Sequence, residues 1–267
     1  TVFYVRRFCR MIPPFFIVLA IILGLYALFG DHHWSDVDVA FPWWSYVLFI
    51  QNLFMVQANS IGGHWLAPTW TLAVEEHFYL IVPAALLFTP RRHLLKGLIA
   101  VGIASLAFRI GIFGFHLGFN VTGRVILPAV ADTLVCGLIA AVLFKTEGIR
   151  WEKYDVLLRL IPLVTFAATA VIVILENGSG WMFPTFGTTL LAIGASALIL
   201  CIVRDLPEAQ RFKSPVLCFF GHTSYCVYLT HLTVLGLMHG GILGTRPDIA
   251  TLPQILVTIA ALPEHPL

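Results

Sequence analysis

Charge is what this sequence has least of. Only 11% of its 267 residues are Asp, Glu, Lys or Arg, against about 25% in a soluble domain. A chain so poor in charge is neither an ordinary water-soluble globule nor a disordered segment, and it offers no basic surface for a nucleic acid. The formal net charge of +2 gives no argument for an anionic partner. Informative cysteine spacing is lacking as well. Cys9, Cys136, Cys201, Cys218 and Cys226 include no CxxC pair, and all but Cys9 lie in apolar runs. That argues against a disulfide framework or a zinc site, and for cysteine buried as a small hydrophobe. His32 and His33, with acidic residues after them, suit a solvated loop better than a metal ligand set. No signal-peptide pattern, internal repeat, low-complexity tract or soluble domain is legible.

What the sequence has in quantity is hydrocarbon. Hydrophobic residues make up 59% and the mean hydropathy is +0.90. Apolar runs lie at 12–30, 70–88, 97–115, 125–144, 157–175, 184–203 and 215–238, and an eighth starts near Thr251. A membrane span needs about 20 apolar residues, and unsatisfied backbone in lipid forbids most forms other than a helix. The expectation is an all-α, polytopic transmembrane bundle forming a single membrane domain over 1–267. The segment 43–57 is shorter and holds Gln51 and Asn52, so it reads as interfacial or re-entrant. The chain opens on Thr1 and stops soon after its last run begins, which we read as a piece of a longer membrane protein.

The basic residues predict sidedness. Arg6, Arg7 and Arg10 precede the first run; Arg91, Arg92 and Lys96 follow the second; Lys145, Arg150, Lys153 and Arg159 follow the fourth; Arg204, Arg211 and Lys213 follow the sixth. The loops between carry Asp31, Asp36, Asp38 and Glu176. Basic clusters therefore recur on alternate sides, and the positive-inside rule puts them in the cytoplasm, provided that 43–57 does not cross.

Ionisable groups inside spans cost about 2.5–3.5 kcal/mol each on insertion scales and call for explanation. Arg6, Arg7 and Arg10 would form one cationic helix face, either a phosphate-binding donor site or a topology anchor snorkelling to headgroups. Glu75, Glu76 and His77 sit just inside a span. Glu75 shares a face with Thr71 and Tyr79 and suits a carboxylate that orients a histidine or acts as base; a wetted helix-end cluster is the plainer alternative. Ser224, Tyr228 and His231 fall at i, i+4 and i+7, one polar stripe on an apolar helix, which is a site or simply a hydrogen-bonded histidine. Arg109 and Asp132 lie in consecutive antiparallel spans and are expected to form a structural ion pair. Arg124 reads as an interfacial anchor.

Three motifs now stand in order: Tyr4-x-Arg-Arg-x-x-Arg-Met-Ile-Pro13, Trp70-Thr-Leu-Ala-Val-Glu-Glu-His-Phe-Tyr-Leu80 and Ser224-Tyr-x-x-Tyr-Leu-x-His231. Together they resemble the membrane acyltransferase 3 family, which includes bacterial O-antigen acetylases, and the resemblance runs over nearly the whole chain. Glu264-His-Pro near the end is similar to that family's Glu-x-Pro. Departures are Met11 for Ile, Thr71 for Ser, which keeps a hydroxyl, and His77 for Gln, which adds a titratable group. The resemblance implies about ten spans, with a first-helix Arg/His motif, the histidine catalytic, lying before Thr1.

It also implies an activity: O-acyltransfer of an acetyl group from cytoplasmic acetyl-CoA, a co-substrate, to a hydroxyl of a cell-surface or lipid-linked glycan, in the bacterial inner membrane. On this reading Arg6, Arg7 and Arg10 hold coenzyme A phosphates, the first-helix histidine acts as base or takes the acyl group, Glu75 and His231 are catalytic, Glu75 by orienting or charging that histidine and His231 on the acceptor side, and Trp70, Tyr79, Tyr225 and Tyr228 contact substrate. Trp65 and Trp70 would stack on sugar rings. No metal or bound cofactor is expected. The alternatives are a proton-coupled secondary transporter using Glu75, Glu76, Asp132 and His231, against which the lack of repeated halves counts, and a structural subunit binding a glycan-synthesis partner.

Overall fold

Lipid offers backbone N–H and C=O groups no partners, so the chain satisfies them within helices. The computed structural model describes residues 2–29, 39–115, 117–176, 180–207, 210, 212, 214–248 and 252–261. His32, His33, Arg211, Lys213, Glu264 and the side chain of Arg6 lie outside the described residues. The helices are α1 (Val2–Phe29), α2 (Trp43–Val47), α3 (Gln51–Ala58), α4 (Thr69–Phe88), α5 (Arg91–Gly114), α6 (Thr122–Val125), α7 (Leu127–Lys145), α8 (Asp155–Glu176), α9 (Thr188–Val203), α10 (Pro215–Leu243) and α11 (Leu252–Ala261). Single 3₁₀ turns cover His64–Leu66 and Trp151–Tyr154, and a π turn, Phe183–Gly187, runs straight into α9. No strand occurs among the described residues.

Among the described residues, seven segments are long and apolar enough to cross a membrane: Arg7–Phe29, His64–Phe88, Arg91–Gly114, Thr122–Lys145, Trp151–Glu176, Phe183–Val203 and Pro215–Leu243. They coincide with seven of the apolar runs. The eighth run forms the ten-residue α11. This is an all-α multi-pass membrane protein. Helices α1 and α5 begin inside their basic clusters, since a helix can continue beyond the hydrocarbon while long cationic side chains reach for headgroups. The segment 43–57 breaks into α2 and α3, and Phe49 between them has φ of 56°. Neither piece is a span.

The chain divides into two compact units, residues 1–73 with 219–267, and residues 74–218. In the first, Phe15, Leu19 and Ile22 form an i, i+4, i+7 stripe on α1 and pack with Tyr46, Trp65, Leu66, Leu72 and Leu229. Trp65 stacks on Tyr26 with ring centroids 4.7 Å apart, and its backbone N–H donates to the Tyr26 hydroxyl at 2.8 Å. A Cβ at Gly236 of α10 would collide with the Trp65 indole. Trp65 is only 1% exposed, which corrects the expectation that it stacks on a sugar: both ring faces belong to the core. The buried Gln51 and Asn52 donate to the carbonyls of Thr69 at 2.9 Å and Trp70 at 3.2 Å, fastening α3 to the first turn of α4.

In the second unit α8 packs on α9, α5 on α7 and α7 on α9. Arg109 and Asp132 pair as expected, at 2.5 Å, with side chains 1% and 3% exposed. The Glu176 carboxylate accepts the backbone N–H groups of Met182 (2.6 Å) and Phe183 (2.8 Å), capping the positive start of the next helical segment. Arg204, the C-cap of α9, pairs with Asp155 in the first turn of α8 and sits over the Trp151 ring. Both charges suit the helix dipoles beside them. Cys201 is buried, but Cys9, Cys218 and Cys226 are exposed. The role of buried small hydrophobe thus holds for Cys201 and not for those three, whose positions fall on outward helix faces.

Candidate active site

The polar stripe of α10 is built as its spacing predicts. Ser224, Tyr228 and His231 line one groove of about 680 Å³ together with Phe219, Phe220, Thr223 and Val227. The stripe's hydroxyls are largely engaged. Ser224 donates to the Gly221 carbonyl at 2.9 Å and Thr223 to the Phe219 carbonyl at 3.1 Å. Hydroxyls in helices commonly turn back on the preceding turn in this way.

Tyr228 reaches outside its helix. Its hydroxyl lies 2.8 Å from Thr71 Oγ1 and 3.2 Å from the Pro68 carbonyl, to which it can donate. Thr71 itself can donate to that carbonyl, at 2.9 Å. Two hydroxyl protons thus serve three contacts, and the second and third sequence motifs meet at this triangle. A threonine in place of serine preserves the contact, because only the hydroxyl is used.

His231 is fixed in tautomer as well as place. Its Nδ1 lies 2.8 Å from the Tyr228 carbonyl. A carbonyl only accepts, so Nδ1 carries the proton and the neutral ring keeps its lone pair on Nε2. The ring sits beside the Tyr228 ring, centroids 5.8 Å apart. His231 is half-buried in the groove wall, and Nε2 is its proton-accepting nitrogen.

Tyr225, one of the expected substrate contacts, points the other way. Its hydroxyl donates to the Met11 carbonyl at 2.9 Å and its ring packs on the core of the first unit. That bond joins the third motif to the first, one residue past Arg10. On α1 Arg7 is half-buried and Arg10 exposed. Trp70 is half-buried, and its carbonyl is occupied by Asn52. Glu75 and Tyr79 belong to the other unit, on α4; both are half-buried, and the Tyr79 ring meets Phe78 edge-on. The structure therefore brings together Thr71, Tyr228 and His231, and separately joins Tyr225 to the end of the arginine motif. Among the described residues no three of His, Cys, Asp and Glu gather as a metal set. The carbonyls of Met11 and Pro68 were not foreseeable, since main-chain acceptors leave no mark on a sequence.

Residues 1–263 match the family model described as "Acyltransferase domain", acyltransferase 3. The chain belongs to the acyltransferase 3 family. Within that family it is similar to a Staphylococcus aureus (strain COL) protein provisionally named an O-acetyltransferase, at 24% identity over 89% of this chain and 41% of the relative. It is also similar to O-acetyltransferase OatA of Staphylococcus aureus (strain NCTC 8325 / PS 47), at 22% identity over 96% of this chain and 44% of OatA. The chain thus spans less than half the length of these relatives. No solved structure matches.

Proposed function

We propose that this acyltransferase 3 family chain is the membrane part of an O-acyltransferase, which moves an acetyl group from acetyl-CoA to a hydroxyl of a cell-surface or lipid-linked carbohydrate. The observation that carries the reading is the tethered His231, whose Nδ1–H is held by the Tyr228 carbonyl so that Nε2 is the ring nitrogen left to accept a proton. An alcohol is a poor nucleophile at neutral pH, and a placed base contributes roughly 10²–10⁴-fold. In the proposed step the acceptor oxygen attacks the thioester carbonyl carbon. Its proton passes to Nε2, the carbon–sulfur bond breaks, and coenzyme A leaves as a thiolate that takes up a proton.

Arg7 and Arg10, three apart on α1, supply guanidinium forks suited to coenzyme A phosphates; Arg6 is the third member of that motif. Glu75 is the catalytic carboxylate of the second motif, one turn past Thr71, and Tyr228 with Trp70 and Tyr79 contacts the acceptor. The inner (plasma) membrane is the proposed location, because donor and acceptor then lie on its two sides.

The test is mass spectrometry of O-acetyl esters on surface glycans, comparing cells with and without the gene. The ester is expected to vanish on deletion and to return with the wild-type gene, but not with His231→Ala or Glu75→Gln. Wild-type esterification by either variant removes that residue from the mechanism, and unchanged acetyl-CoA affinity in an Arg7→Ala/Arg10→Ala double variant removes the donor site.

A further inference from the structure

The Tyr225 bond to Met11 falls where the internal bonding of α1 is weakest. Pro13 and Pro14 stand inside that helix, and proline has no N–H to donate. The Cys9 carbonyl therefore loses its i+4 donor. The Arg10 carbonyl loses more: its i+4 residue is Pro14 and its i+3 residue is Pro13, so neither an α nor a 3₁₀ bond can reach it. The helical ladder is interrupted directly after the last arginine of the first motif.

Packing changes at the same point. From Ile12 onward α1 is rooted in the core of its unit through Ile12, Phe15, Leu19 and Ile22, all buried. Before Met11 no described side chain of the helix is buried: Tyr4, Val5, Phe8, Cys9 and Arg10 are exposed, and Arg7 is half-buried. The arginine-bearing turns thus take no direction from core packing, and the ladder that would carry direction to them lacks two rungs. Met11 stands between the two stretches, and there the Tyr225 hydroxyl donates to its carbonyl at 2.9 Å. The Tyr225 ring packs on the core, so that hydroxyl is presented from a fixed point on α10.

We propose that Tyr225 is a positioning residue: its hydroxyl, bonded to the Met11 carbonyl beside the Pro13–Pro14 step, holds the arginine-bearing turns of α1 in the direction in which Arg7 and Arg10 meet an anionic donor. The tether rests on geometry alone; its consequence for acetyl-CoA rests on the acyltransferase reading. Guanidinium forks recognise phosphate through directed, paired hydrogen bonds. A swing of the helix end moves both forks together, so the loss appears in donor binding and leaves the proton-accepting nitrogen of His231 where it is.

The test uses the full chain in phosphatidylcholine nanodiscs, with a nitroxide on Cys9 as its one cysteine, and with the same label on Leu163→Cys, an exposed position of α8, as comparison. Tyr225→Phe keeps the ring and removes only the hydroxyl. It is expected to loosen the label on Cys9 and to leave the label on Leu163→Cys unchanged. In Pro13→Ala/Pro14→Ala, which restores both N–H groups, the same substitution should move the Cys9 label less. Titration with acetyl-CoA gives the second readout. Tyr225→Phe is expected to weaken binding about two- to tenfold, the worth of one hydrogen bond, and to have no further effect on the Arg7→Ala/Arg10→Ala variant. An unmoved Cys9 label overturns the proposal. So does an equal loss of affinity with and without the arginines, since the hydroxyl then acts on the fold at large. If the label loosens but the wild-type chain binds no acetyl-CoA, the tether stands and the donor site of the acyltransferase reading falls.

Discussion

A tyrosine hydroxyl among apolar helices must find a partner, because leaving it unpaired in a dry environment costs about 1–3 kcal/mol. Tyr228 finds Thr71 and the Pro68 carbonyl, and its own carbonyl then holds His231. One residue thus sets both the approach of the second motif and the tautomer of the imidazole. If the Thr71–Tyr228 contact acts as a unit, removing either hydroxyl should cost nearly what removing both does. Thr71→Val, Tyr228→Phe and the double variant, compared by rate of acyl transfer, are expected to show a coupling of about 0.5–3 kcal/mol; additive losses would mean that the two hydroxyls act separately. The stripe of Ser224, Tyr228 and His231 was legible because i, i+4, i+7 spacing fixes a helix face. The inward turn of Tyr225 was not. Its spacing allows either direction, and its target is a backbone carbonyl.

The elements repeat that division. Apolar runs showed where the helices lie, since a chain in lipid has few other ways to satisfy its backbone. Asp132 and Arg109 announced each other by the cost of carrying charge inside a span. The threonines that complete their network did not. Arg109 donates to Thr188 and Thr189, both at 2.6 Å, and Asp132 accepts from Ser105 and Thr189 at 3.0 and 2.6 Å. Adjacent residues on a regular helix point about 100° apart, yet Thr188 and Thr189 reach one guanidinium, directly after the π turn Phe183–Gly187. Such a turn changes helix register locally and has no dependable sequence signal. The pair's energetics follow from its burial. Arg109→Leu or Asp132→Leu alone strands a charge and should destabilise the protein by about 3–5 kcal/mol, whereas replacing both removes the uncompensated charge. Thermal unfolding in detergent is expected to rank the double variant well above either single one. A double variant no better than the singles would shift the weight from the charges to the hydroxyls around them.

At the scale of the whole molecule, sidedness turns on the short segment after α1. Helices α2 and α3 have five and eight residues, about 8 Å and 12 Å of rise against a hydrocarbon core of about 30 Å. The positive φ at Phe49 prevents them from joining into one rod. If this segment stays on the side where it enters, every basic cluster faces the same compartment. If it crossed, Arg91, Arg92 and Lys96 would fall opposite Arg7 and Arg10. Single-cysteine variants in a cysteine-free background decide between these arrangements, since Asn59, Arg92, Asn120 and Glu147 are all exposed. A membrane-impermeant maleimide added to intact cells should label Asn59→Cys and Asn120→Cys at once, and Arg92→Cys and Glu147→Cys only after permeabilisation. Immediate labelling at Arg92→Cys would break the alternation. It would also remove the physical basis for a cytoplasmic donor site on α1, because the charge bias that orients the first arginines is the same one that orients the rest.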